Sequence, residues 1–562
     1  MNLRQARDGG FMTFSKTTRK FRFFLAVSPV VLLSGCVATD MDRAQQIMRL
    51  SDRGGVEIEY DFAQAAVQIP LDPEEAFSDG AALEVLNEGP ILIERTFESA
   101  LPIERLTIRL SPDTRSANGQ FPTLVQVAEQ GYVLYLPALR TEMVPGDPVF
   151  ELPEDIVTHP SQNRNGFVFI GPKGLVRDSA FGHLIASPST PMTIVDDIIA
   201  RSESILAFFT DALKRPPPDG PTIIIDYDTE GPSNFVGHVA QNSTILLQFN
   251  EGALDIDAFT EEILPQYLTH EFFHLWNGKV DIDHDGPNLA WMHEGAAEYA
   301  SWVAAISLFD HGKSLEHRVE QQLGLCTGSL GNDALLRLED QRRDSSRYSC
   351  GSVIAWLSDV ADRSHGGSGI FGFWGEILDS GEPYGFEDFN AALNRRPGPA
   401  ADAIDAILSR SDPKRWNDVF AALSTIGVIV RPAVPGPEAV RSAAIHTLLR
   451  EGCSRSAGFE TVGMSERPDR IILRTEAMEE AGDAPGTCDA LGGDPELVSV
   501  AGFSVLGDWT HIANVISEAC ASRADISLTL RRGGQLVAET IRCKQPAEAP
   551  EPRLEVVKAL PD

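Results

Sequence analysis

Apolar and polar residues alternate along Val56-Glu57-Ile58-Glu59-Tyr60 and again along Leu106-Thr107-Ile108-Arg109-Leu110. A period of two predicts half-buried strands. Tyr132 to Leu136 is a short apolar run of the same kind, and Pro, Gly, Asp and Asn break up the connections. Residues 55–190 therefore predict an N-terminal β-rich domain. From about residue 191 the spacing changes. Ile194–Leu213, Phe259–Trp276, Ala296–Leu308 and Ser352–Ala361 carry apolar residues at helical intervals, interrupted by a strand pair, Thr222–Asp226 and Ser243–Phe249. A mainly helical domain is expected over 191–435. It should end at the linker Arg431–Pro437, where prolines and a glycine break regular structure. Strand patterns return at Arg470–Arg474, Glu496–Val500 and Ile526–Leu530, with a helix near Trp509–Ala521, giving a third, β-rich unit over 440–545. Residues 546–562, rich in Pro and Glu, predict a disordered tail. The expected fold class is multidomain α+β, in keeping with a chain of 562 residues that exceeds a single core.

The first segment reads as a targeting signal. Arg4, Arg7, Lys16, Arg19, Lys20 and Arg22 precede an apolar run, Phe23–Leu33, too short to span a bilayer. The run ends in Leu33-Ser34-Gly35-Cys36, which resembles a bacterial lipobox. That implies removal of residues 1–35, lipidation of Cys36 and a polar tether over 36–54. The protein is then expected in the bacterial cell envelope, membrane-anchored by its N-terminal lipid and facing the periplasm or exterior. No later run is apolar enough to cross a membrane. The net charge of −34 argues against nucleic acid as a partner, since phosphates would be repelled. Six cysteines remain after Cys36, an even number that suggests disulfides in an exported chain. Cys326 and Cys350 bracket one loop and are expected to pair, while Cys453, Cys488, Cys520 and Cys543 allow three connectivities.

Chemistry concentrates in Thr269-His270-Glu271-Phe272-Phe273-His274-Leu275-Trp276-Asn277. On a helix, histidines four apart share a face and can share a metal ion; the glutamate after the first can reach water at that metal without binding it. The apolar neighbours predict a buried helix, where two neutral imidazoles need partners that Zn2+ would supply. Catalytic zinc usually takes three protein ligands. Trp291-Met292-His293-Glu294-Gly295-Ala296-Ala297-Glu298 offers Glu294 as the third, with Glu298 one turn later, placed to accept a ligand histidine's N–H. His293 is a rival to Glu294, but points about 100° away around a helix.

Motif, spacing and the Glu294-Gly295 pair resemble the gluzincin metallopeptidases, and more closely the glycyl aminopeptidase family. Its members join a β domain, a thermolysin-like domain and a PDZ domain. His270 to Lys279 is similar to that family's zinc helix, and Arg347-Tyr348-Ser349-Cys350-Gly351 resembles its Tyr-x-Lys-Gly element with cysteine in place of lysine. The resemblance implies zinc-dependent peptide hydrolysis, with Glu271 as general base and Tyr348 as hydrogen-bond donor to the oxyanion. It also implies that Gly237-His238-Val239-Ala240-Gln241-Asn242-Ser243-Thr244 is an edge strand against which peptide lies, making Gly237 and Asn242 candidate substrate contacts. Val239 stands where the family carries a glutamate that recognises a free amine, so exopeptidase or endopeptidase action stays open. Gly493–Gly502 and a closing hairpin over Ile526–Ile541 resemble PDZ segments. Ser456-Ala457-Gly458-Phe459 is the nearest counterpart of the peptide-terminus loop. The alternative function is a catalytically inactive, lipid-anchored peptide-binding scaffold or chaperone using the PDZ-like domain.

Overall fold

The structure, a computed structural model, describes residues 44–561 except 72–81, 94, 113–120, 163–164, 218–219, 229–234, 241, 251–260, 262, 279–288, 310–313, 331–332, 338–345, 380–382, 413, 434–436, 453–457, 465–466, 475–490, 492–494 and 548–552. The expected signal segment, Cys36, Cys453 and Cys488 lie outside the described residues, as do Ser456 and Ala457 of the Ser456–Phe459 loop.

The alternating segments form antiparallel strands. β1 (Gln45–Leu50), β2 (Val56–Pro70), β3 (Ala82–Val85), β4 (Ile91–Ile93), β5 (Thr96–Ser111) and β8 (Val149–Phe150) make one sheet. β6 (Leu124–Ala128), β7 (Gly131–Tyr135), β9 (Ile156–His159) and β10 (Phe167–Pro172) make a second. Val56, Ile58 and Tyr60 from β2 and Leu106, Ile108 and Leu110 from β5 meet Leu134, Val168 and Ile170 in a shared core. This is the period of two acting as written: alternate side chains share one face of each strand and go into the apolar layer between the sheets. The expected tether is shorter than 36–54, because Gln45–Leu50 pairs with Val56–Asp61 along its whole length.

A third sheet has the order β11 (Val176–Asp178), β12 (His183–Ala186), β13 (Thr222–Asp228), β15 (Thr244–Asn250), β14 (Phe235–Val239). β12, β13 and β15 run parallel, and β14 is the antiparallel edge. This sheet begins before residue 190. Leu184 and Ala186 share a core with α1 (Met192–Leu213), so the N-terminal β domain ends earlier than its composition suggests. Behind the sheet lie α2 (Leu264–Asn277), α3 (Ala290–Phe309), α4 (Leu315–Leu330), α5 (Ser346–Ser364), α6 (Ile370–Asp379), α7 (Phe386–Asn394), α8 (Pro399–Ser409) and α9 (Arg415–Ser424). Their apolar faces form one continuous core. Cys326 on α4 and Cys350 on α5 are joined by a disulfide.

The C-terminal unit carries a sheet ordered β17 (Gly458–Met464), β18 (Arg467–Arg474), β19 (Glu496–Val500), β21 (Asp525–Arg532), β22 (Gln535–Arg542), with β20 (Phe503–Ser504) on β19. α10 (Pro437–Gly452) and α11 (Trp509–Ser522) cover one face. Cys520 and Cys543 are joined.

The chain then does what its composition did not predict. Arg553–Lys558 is not disordered but forms a strand, β23, paired with β16 (Ile429–Ala433). Leu554, Val556 and Ala559 enter the core of the helical domain, and Trp356 donates its indole N–H to the Ala559 carbonyl at 2.7 Å. The alternation Leu554, Val556 supplies an apolar face that the surrounding Pro and Glu conceal. The C-terminal unit is thus spliced between two strands of the domain that precedes it. Among the described residues no helix is long and apolar enough to cross a membrane.

Candidate metal centre

α2 begins with Pro265 at its first turn, where a missing N–H costs nothing, and its residues are almost all buried. Phe273 and Trp276 pack against Phe209 of α1, with ring centroids 5.5 and 5.6 Å apart. That packing turns the opposite face of α2, with His270, Glu271 and His274, toward a cavity of about 540 Å³ between α2, α3, α5 and the edge strand β14.

His270 Nε2 and His274 Nε2 lie 3.2 Å apart, and Glu294 Oε2 on α3 is 3.4 and 3.6 Å from them. Among the described residues these three form the one His/Cys/Asp/Glu group compact enough to hold a metal ion. The hydrogen bonds settle the tautomers. Asn277 Nδ2 donates to the His293 carbonyl, so its Oδ1 faces His274 Nδ1 at 2.8 Å and must accept from it. His270 Nδ1 donates to Glu298 Oε2 at 3.2 Å. Both rings therefore use Nδ1 as a donor and turn Nε2 toward the same point, beside a carboxylate. Three converging donors need a cation there, and two imidazoles with one carboxylate suit zinc.

Electrostatics agree. Burial opposes charge on His270, yet hydrogen bonds to Glu294 and Glu298 hold its pKa well above the ordinary histidine value. Burial likewise works to raise Glu294, but the bonds from His270 and His274 hold its carboxyl well below the usual range. The pocket is built for net positive charge at its centre. Glu271, on the cavity wall but outside the ligand group, differs. Burial pushes its pKa up and Glu294's charge adds to this, while the two histidines oppose it. A carboxylate shifted toward neutrality is suited to taking a proton.

Glu298 accepts at Oε1 from Gln266 Nε2 at 3.2 Å and Trp302 Nε1 at 3.1 Å, leaving Oε2 for His270. His293 is not a ligand. Its Nδ1–H donates to the Asn277 carbonyl at 3.1 Å, and its ring stacks on His274 at 4.1 Å. Burial first, then the neighbouring His274, holds its pKa near 3.

Tyr348 reaches the site because α3 and α5 cross at two glycines. A Cβ on Gly295 would fall 2.1 Å from the Gly351 carbonyl carbon, and one on Gly351 would fall 2.2 Å from the Trp291 oxygen. The crossing brings the first turn of α5 over Glu294, and the Tyr348 ring lies 6.3 Å from His270. Burial, then the Glu294 charge, raises the phenol pKa, so it remains a donor.

The two expected substrate contacts separate. Gly237 lines the cavity. Asn242 does not: it is buried, and its Nδ2 donates 2.7 Å to the Phe167 carbonyl, tying the third sheet to the second. Asn277, Gln266 and Trp302 carry roles that no motif marks. Their signal is helical spacing, since Asn277 follows His274 by three residues and Trp302 follows Glu298 by four.

No protein-family model and no curated protein matches the sequence. Among solved structures, an aminopeptidase N family protein from Idiomarina loihiensis is similar over 92% of this chain and 98% of its own, at 12% identity and a TM-score of 0.57. An M1 zinc metallopeptidase from Deinococcus radiodurans matches over 65% of this chain and 93% of its own, at 15% identity and a TM-score of 0.38. Yeast LTA4 hydrolase in complex with bestatin matches over 71% and 70%, at 11% identity and a TM-score of 0.38. The first of these covers nearly both chains, and what it establishes is the fold: a mixed α+β, multidomain architecture of the aminopeptidase N kind.

Proposed function

We propose that this protein is a zinc metallopeptidase that hydrolyses peptide bonds in the cavity between α2, α3, α5 and β14. The observation that carries the reading is the convergence of two histidine Nε2 atoms and the Glu294 carboxylate on one point, with Glu271 beside it and outside the ligand set. Zinc held by His270, His274 and Glu294 would supply Lewis acidity to a water molecule and to the scissile carbonyl. Glu271 takes the proton from that water and passes it to the leaving amine. The Tyr348 hydroxyl donates to the oxyanion that develops on the carbonyl oxygen. Glu298 and Asn277 keep both imidazoles oriented throughout. The aminopeptidase N family description of the similar structure supports this class of chemistry. Exopeptidase or endopeptidase action is left open by Val239 on the edge strand.

The finer reading follows the N-terminal sequence and the C-terminal unit. It is a lipoprotein anchored through Cys36 to a membrane of the bacterial cell envelope, with a PDZ-like domain over 440–545. The decisive measurement is zinc content and cleavage of a mixed peptide library, comparing the chain from residue 37 with its Glu271→Gln variant. The expected result is one zinc per chain in both and cleavage by the parent alone. Zinc in both with cleavage by neither would favour the inactive scaffold, and a parent without zinc would end the reading.

A further inference from the structure

The candidate base is held from the strand side of the cavity by a residue that no motif picks out. Tyr267 lies one helical turn before Glu271 on α2 and lines the same cavity. Its hydroxyl lies against the backbone of Gly237 on β14 and is coupled to the Glu271 carboxylate one turn on, in the same cavity wall. The approach is close. A Cβ on Gly237 would fall 2.4 Å from Tyr267 Oη and 2.7 Å from a ring carbon, so only glycine leaves room for the phenol. Burial first, then the Glu271 charge, raises the Tyr267 pKa, which keeps its proton available to donate.

Glu271 needs such a restraint. It is buried and faces the like charge of Glu294, a repulsion that works to turn it away from the metal-binding point. A buried carboxylate that swings by one rotamer no longer reaches the water it must deprotonate. We propose that Tyr267 is a positioning residue for Glu271: its hydroxyl, seated against the Gly237 backbone, holds one carboxylate oxygen so that the other stays turned toward the metal-binding point. The strand against which a peptide would lie and the base that would act on it are thereby joined through one phenol. Gly237 then belongs to the catalytic apparatus by the room it leaves for Tyr267. This inference rests on the peptidase reading.

The test is steady-state kinetics and zinc content of the full chain in detergent, using a quenched fluorescent peptide chosen from the library. The variants are Tyr267→Phe, Gly237→Ala and Glu271→Gln. Tyr267→Phe should keep one zinc per chain and hold KM within twofold while kcat falls about tenfold, the usual effect of one lost hydrogen bond to a charged group. Glu271→Gln should keep one zinc per chain and cut no peptide, the floor against which these losses are read. Gly237→Ala, which pushes on the phenol from the strand, should also lower kcat with KM held. A Tyr267→Phe kcat within twofold of the parent, or a loss carried by KM, overturns the positioning role alone. If Tyr267→Phe loses zinc or fails to fold, Gly237→Ala decides: lowered kcat supports the role and unchanged kcat overturns it. A parent that binds zinc and cuts no peptide overturns the peptidase reading, and this role with it.

Discussion

The cavity has two unlike walls. On the helical wall the metal-binding histidines are held by hydrogen bonds, His270 by Glu298 and His274 by Asn277, and Glu298 is held in turn by Gln266 and Trp302. On the strand wall, β14 presents Gly237, His238 and Val239, and none of the three carries a charge at neutral pH. His238 is buried against Phe121 and Phe167, and burial holds its pKa near 4. The contrast separates reaction from recognition. A metal site tolerates little change, because each buried charge there is satisfied by another and losing one orphans its partner. An edge strand can contact a peptide through its backbone, so apart from Gly237, whose lack of a side chain makes room for Tyr267, its residues can change without disturbing the chemistry.

Four measurements would sharpen or break that contrast. The largest effect should come from Tyr348→Phe, expected to lower kcat by about 10²–10³-fold, the cost of one oxyanion donor, with zinc retained. Unchanged kcat would leave Tyr348 a packing residue. Next is Glu298→Gln, which should weaken zinc affinity about 10–100-fold in a chelator competition by loosening His270. Affinity equal to the parent's would mean that the support around the ligands is ornamental. On the strand wall, Val239→Glu should leave zinc binding and kcat on internal bonds near parental. It should raise the preference for peptides with a free over an acetylated N-terminus by about tenfold, the scale of one charge-assisted hydrogen bond. If zinc affinity falls instead, the two walls are not independent.

The smallest effect concerns pH. His238 titrates near 4 in the folded chain against about 6.5 unfolded, so the unfolded state binds more protons below pH 6.5. Its contribution is fully present above that pH and is lost as pH falls toward 4, amounting to about 1 kcal/mol at pH 5.5. Urea unfolding at pH 7.5 and 5.5 should show His238→Phe less acid-sensitive than the parent by that amount. Equal sensitivity would show that the imidazole is not held neutral.

The residues of the helical wall were legible early because helical geometry is local. Spacings of four place His270 with His274, and Glu294 with Glu298, on shared faces whatever the rest of the chain does. The nineteen residues between His274 and Glu294 show only that a returning helix has room. The role of Asn277 was not legible, because the direction of its amide is decided by the His293 carbonyl on another helix. Asn242 misled for the opposite reason: a position beside the edge strand does not say which way a side chain points, and this one points into the sheet beneath.

The ends of the chain show the same division at larger scale. Gln45–Leu50 reads as polar tether until β2 is beside it, and Arg553–Lys558 reads as tail until β16, more than a hundred residues earlier, offers its edge. By itself the sequence determined the helices, the alternating strands and the set of groups able to hold zinc, because these follow from spacings of two, three and four residues. Tertiary structure alone decided that Gly295 meets Gly351 and so brings Tyr348 over Glu294, that Tyr267 bridges strand and base, and that the last strand closes the helical domain. Each of these joins residues distant in sequence or on separate elements, where packing and the need to satisfy buried polar groups, not local periodicity, select the partner.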